Sequence, residues 1–138
     1  FQLDSSVAGR VLLDTRLENG QGFVLQHKGN GQLELVLDDG RTRASWDSDP
    51  RVVSVGKRHH AVVIVDGGPN VISFVVDGRL CDGGDFRQFG WGRFSPYLRH
   101  ANGSPRLLID GAIDLLRVYG RALRTSEAIS NYRSGDGV

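Results

Sequence analysis

What most constrains this chain is a recurrence: short runs of β-branched and other apolar residues, each closed by a turn dipeptide. Residues 62–80, VVIVDGGPNVISFVVDGRL, use the device twice, ending at Asp66-Gly67 and again at Asp77-Gly78. Asp-Gly and Asn-Gly supply the positive φ of tight hairpin turns at low cost, so the pattern dictates antiparallel strands. Apolar or alternating runs occur at Arg10–Leu13, Gly22–Gln26, Gln32–Leu37, Arg41–Trp46, Val52–Val55, His60–Val65, Val71–Val76, Arg106–Ile109 and Ile113–Tyr119, nine candidate strands in all. The separators Glu18-Asn19-Gly20, Lys28-Gly29-Asn30-Gly31 and Asp38-Asp39-Gly40 carry the same turn chemistry. That many short strands specify a sandwich or barrel.

The phase of the runs says which faces are covered. In Gln32–Leu37, Leu33, Leu35 and Leu37 share one face, while Gln32, Glu34 and Val36 share the other, largely wet one. Ala61–Val65 and Val71–Val76 are almost continuously apolar, as expected of a central hairpin covered on both sides. Residues 80–105 mix glycines with Phe86, Phe89, Trp91, Phe94 and Tyr97 and read as loop. Near the end, Thr125 as a cap, Glu127 in the first turn and the stripe Ala128, Ile129 and Tyr132 predict one short helix.

Composition excludes several classes. A chain of 138 residues holds one domain, and no apolar run approaches the roughly 20 residues of a membrane span. The net charge of +1 offers no basic field for nucleic acid. Fifteen arginines against two lysines offer planar forks suited to carboxylates and sulfates, and genome-wide codon bias accounts for the same surplus. The single Cys81 has no disulfide partner and reads as a small packed residue. With no initiator Met and a start in what reads as a strand, the chain is expected to be a module of a larger protein.

The stretch Asp110-Gly111-Ala112-Ile113-Asp114-Leu115-Leu116-Arg117-Val118-Tyr119-Gly120-Arg121-Ala122-Leu123, followed by Thr125-Ser126-Glu127-Ala128-Ile129, resembles the close of laminin-G-like, concanavalin A-type jelly-roll modules. There a last strand of the form G-x-I-D-E-V-R-I-Y-N-R-A-L precedes a short S-x-E-E-I helix. Lys57-Arg58-His59-His60-Ala61-Val62-Val63 is similar to the family's W-H-H-V-A strand, and Val75-Val76-Asp77-Gly78 to its Y-V-D-G hairpin. The resemblance runs from about residue 9 to residue 133. It implies an all-β fold, an antiparallel two-sheet jelly-roll sandwich with one short C-terminal helix. Arg58 stands where the family usually has Trp, and Leu115 where it usually has Glu. The resemblance also implies a first strand or two before the point corresponding to Phe1, paired with the last strand.

Catalytic apparatus is hard to find. Glucanases on this sandwich place carboxylates on one strand face about 5 Å apart, and neither Glu34 with Asp38 nor Asp110 with Asp114 meets that pattern. Adjacent residues of a strand point to opposite faces, so His59 and His60 cannot chelate one ion, and His27 and His100 have no partner at ligand spacing. Nucleophile-elbow, phosphate-loop and dinucleotide motifs are absent. Calcium fits better than zinc, at Asp47 and Asp49 or at Asp82 and Asp85, but both stretches are equally ordinary turn sequences and neither has a third acidic ligand.

Sugars stack their axial hydrogens on aromatic faces beside polar side chains. Trp46, Asp47, Trp91, Arg93, Tyr97, Arg99 and Asn102 supply that combination. Trp46 reads equally as a core plug, whereas Gly-flanked Trp91 reads as exposed. The expected function is thus noncatalytic glycan or polysaccharide binding by an accessory module of a secreted protein such as a glycoside hydrolase, sialidase or sulfatase, with an anionic glycan favoured by the arginine surplus. The alternatives are a protein-interaction or spacer module packed on a neighbouring catalytic domain, or a segment of an enzyme whose carboxylates lie elsewhere.

Overall fold

The structure, a computed structural model, describes residues 1–98 and 100–136. Its strands are β1 (Arg10–Asp14), β2 (Gly22–Gly29), β3 (Gln32–Asp38), β4 (Arg43–Asp47), β5 (Ala61–Asp66), β6 (Val71–Val76), β7 (Arg79–Leu80), β8 (Gly92–Arg93) and β9 (Leu108–Ile109). One helix, α1 (Thr125–Asn131), runs on into a π turn at Tyr132–Asp136. The strands form two antiparallel sheets, one ordered β4-β3-β2-β1-β9 and the other β5-β6-β7, with β8 also paired to β6. The two-sheet sandwich and its short C-terminal helix are those the sequence specifies.

The core follows from strand phase. Leu33, Leu35 and Leu37 of β3 project inward against Ile72, Phe74 and Val76 of β6, with Leu12 and Leu25 completing a cluster withdrawn from water. The other face of β3 is drier than the sequence implies, because Val36 pairs with Val24 of β2 and both are buried. The second phase of β5 and β6 is apolar for a different reason. Val62, Ile64 and Val75 face outward and are covered by Ala122, Ala128 and Ile129, so α1 is the outer layer that the continuous runs require. At the Asp77-Gly78 turn both residues hold positive φ, 51° and 75°, the conformation that hairpins of this hand demand.

Four local readings are corrected. Val52–Val55 forms no strand; its backbone bonds back to the β2–β3 turn, through Val53 N–H to Gly31 O, and buries Val53 as a loop plug. Only Leu108–Ile109 of the run 106–109 pairs, with β1. β5 is an edge strand and β6 the central one. Most consequentially, Ile113–Tyr119 joins neither sheet. Ties to Gln2 and Leu12, and the Arg10–Asp110 and Arg58–Asp114 ion pairs, anchor its start, after which Leu115 and Val118 lie exposed. Together with β5 and the leucines of the larger sheet, this segment borders an apolar cleft of about 690 Å³.

The helix begins one residue earlier than the sequence suggests, with Arg124 at the N-cap. The Arg124 N–H donates to Glu127 Oε1 at 3.0 Å, and the Arg121 guanidinium grips the same carboxylate with two bonds. Arg121, and then the Arg124 N–H, draw the Glu127 carboxyl down to about 2. A carboxyl depressed on folding stabilises the fold above its unfolded value and ceases to do so as pH falls through its folded value. The melting temperature of Glu127→Gln will therefore lie below wild type at pH 7, and the difference will shrink from pH 4.5 downward and vanish near pH 2. Because the pair is exposed, high salt will shrink the pH 7 difference as well.

Candidate functional site

His59 invites a catalytic reading once its neighbours are seen, because it is buried and its Nδ1 lies 2.7 Å from Asp77 Oδ2. The other ring nitrogen decides against it. Nε2 accepts the Ser54 backbone N–H at 2.9 Å, which fixes a neutral ring with Nδ1–H donating to Asp77. Both nitrogens thus tie the 53–56 loop to the β6–β7 turn, and no basic lone pair is left for a substrate. His59→Ala is expected to cost about 1–3 kcal/mol in urea unfolding by orphaning these partners. His27 is buried with Nδ1 near Val7 O, and His60 packs against the Tyr132 ring.

The acidic loops also have other occupations. Burial raises the Asp47 carboxyl, but Lys28 and Arg87 together pull it below the ordinary range. Asp49 accepts the backbone N–H groups of Asp82 and Gly83, Asp82 accepts that of Gly84, and Asp85 is exposed in the following turn. Among the described residues no three His, Cys, Asp or Glu side chains gather as metal ligands. As placed, these four aspartates do not fit a calcium ion, which takes six or more converging oxygens. Between the loops lies Cys81, buried in the core, and its burial pushes the thiol up.

Trp46 resolves toward the core. Opposite Leu35 on the inward phase of β4, it packs on the main cluster and donates its indole N–H to Gly90 O at 3.0 Å. The Arg87 guanidinium covers the ring 3.9 Å from its centroid, and a Cβ on Gly92 would lie 2.2 Å from it. No sugar can reach a face so covered. Asp47, Trp46's neighbour, is spent on Lys28 and Arg87 as described.

Trp91 and Arg93 have the opposite placement. They flank inward-facing Gly92 and so share the outward phase of β8, where Trp91 stays 38% exposed. The Trp91 ring stacks on Phe89 at 4.8 Å, and the Arg93 guanidinium lies 5.7 Å from its centroid. Pairing carries the same face across the sheet, since Arg93 lies opposite Val71, Val71 opposite Asp66, and Ser73 opposite Ile64. Beside the start of α1 this face carries a groove of about 660 Å³ whose lining includes Trp91, Arg93, Asp66, Ser73, Arg124 and Thr125. The groove thus sets one exposed aromatic among hydroxyl, carboxylate and guanidinium side chains, residue types suited to sugars.

Of the residues expected to bind ligand, the fold brings together Trp91 and Arg93. Tyr97, 78% exposed, and exposed Asn102 do not line the groove, and Arg99 lies outside the described residues. Asp66, Ser73, Arg124 and Thr125 were missed. A signal for one was present, since Ser73 is the lone polar residue of the Val71–Val76 run and falls on its outward phase.

A family model for the concanavalin A-like lectin/glucanases superfamily matches residues 1–129. The chain belongs to this superfamily. Among solved structures, this superfamily member is similar to the Ruminococcus gnavus IT-sialidase CBM40 bound to α2,3-sialyllactose, at 18% identity and a TM-score of 0.61 over 94% of this chain and 77% of that one. An S-layer domain-containing protein from Clostridium thermocellum aligns over 96% of this chain and 66% of its own at 15% identity, with a TM-score of 0.39. No curated sequence matches. Among the described residues no helix is long and apolar enough to cross a membrane.

Proposed function

We propose that this concanavalin A-like domain is a noncatalytic carbohydrate-binding module whose ligand occupies the groove beside Trp91. The observation that carries the reading is that groove: an exposed indole just before β8, with polar side chains from β5, β6 and the start of α1 around an apolar floor. The likeness in fold to a sialidase's carbohydrate-binding module supports it. So does the occupation of His59 by structural bonds, which takes the most catalytic-looking group out of use. A shallow site of this kind binds weakly, and tethering to a neighbouring domain of an extracytoplasmic protein makes weak affinity effective. The test is a glycan array probed with the purified chain, with calcium and with chelator. The reading expects hits that chelator leaves intact; a blank array overturns it.

The second reading, a protein-interaction or spacer module, is favoured by one feature. Leu115 and Val118 stand exposed along the apolar cleft, a feature of the kind a neighbouring domain covers. A blank array would transfer the role to that cleft.

A further inference from the structure

We propose that the groove is built for an acidic sugar, a uronate or a sulfated residue, whose anionic group is received by Arg93 and Arg124 while its apolar face rests on Trp91. The proposal rests on the glycan reading and names the ligand class for that same site.

Arg10, Arg16, Arg58, Arg87 and Arg121 are each paired with a carboxylate. Among the described residues the guanidinium groups of Arg93 and Arg124 make no ion pair, although the Arg124 backbone N–H serves Glu127, and both side chains stand exposed on the wall of one groove beside the exposed indole. The groove's single acid, Asp66, does not neutralise them. It faces the same side as Arg93 but lies two strands away, a separation of about 10 Å from the spacing of neighbouring strands. One of its oxygens is taken by the Gly68 N–H at 3.0 Å. Asp66 and the hydroxyls of Ser73 and Thr125 are thereby left to meet sugar hydroxyls, while two guanidinium forks remain for an anionic group. A guanidinium matches a carboxylate or sulfate with two parallel bonds, and such charge-assisted bonds are stronger than neutral ones. With a net charge of only +1, the chain has little general attraction for polyanions, so any preference must come from a local arrangement.

Two matched pairs of polymers test this by titration calorimetry at physiological salt: polygalacturonate against its carboxyl-reduced form, and dextran sulfate against dextran. The proposal expects the acidic member of a pair to bind at least about tenfold tighter, the value of one charged hydrogen bond. Which pair shows the preference tells carboxylate from sulfate. Arg93→Gln and Arg124→Gln should each remove most of that preference, while Arg41→Gln, an exposed arginine away from the groove, should leave it intact. Equal binding of acidic and neutral members overturns the proposal while the glycan reading stands. So does an equal loss in Arg41→Gln, which would mark diffuse charge. Binding to none of the four polymers, joined to a blank glycan array, removes the glycan reading itself.

Discussion

Gly92→Ala will lower stability by about 3 kcal/mol, at the upper end of what overpacking a core costs, and the melting temperature by about 10 °C. The added methyl would lie 2.2 Å from Cδ2 and Cε3 of Trp46, and 2.7 Å from Cγ. The indole cannot step aside, because its N–H is bonded to Gly90 O and the Arg87 guanidinium lies against its ring. The cost is steric rather than conformational, since Gly92 is not among the glycines with positive φ. Gly120→Ala, where an added methyl meets nothing within 4 Å, is the control and should stay within about 0.5 kcal/mol. Trp46→Leu in the Gly92→Ala background should recover part of the loss, the coupling expected of residues in contact. Urea unfolding of the four proteins decides it, and a Gly92→Ala variant as stable as wild type would contradict the packing described.

Trp91→Ala will weaken glycan binding by roughly 30-fold, about 2 kcal/mol, the loss typical of a central aromatic anchor. It should leave the fold in place. Trp91 stands outward, touching Phe89 and Arg93, so its truncation opens no core cavity. Trp46→Ala should show the converse, a large loss of stability that affects binding only through the fold. Calorimetry against the strongest array ligand, with thermal melts of both variants, separates the two tryptophans. Undiminished affinity in Trp91→Ala would remove the groove as the site.

The architecture was legible because period-2 alternation and Asp-Gly turns are local signals. Asp66-Gly67 and Asp77-Gly78 end their strands at the positions the sequence marks. What misled was also local: Val52–Val55 and Ile113–Tyr119 have strand composition, yet composition does not supply a paired neighbour, and neither run finds one. For the site, the sequence distinguished exposed Trp91 by its flanking glycines but could not place Trp46. The β4 register that turns Trp46 inward depends on pairing with Leu35, a contact remote in sequence. Arg124 and Thr125 were invisible for the same reason, because only the packing of α1 on the outward face of β5 and β6 brings them beside Trp91. Asp47 and Asp49 looked like ion ligands because the cations and amides that occupy them, from Lys28, Arg87 and residues 82–83, arrive from other segments.

Where the ligand sits is read out residue by residue in a ¹H–¹⁵N NMR titration of the chain with acidic and neutral oligosaccharides. Binding in the groove predicts shifts at the Trp91 indole N–H and at the amides of Ser73, Arg93 and Thr125, with the Trp46 indole unmoved. Shifts centred instead on Tyr97 and Asn102, or along Leu115–Tyr119 beside the apolar cleft, would contradict it.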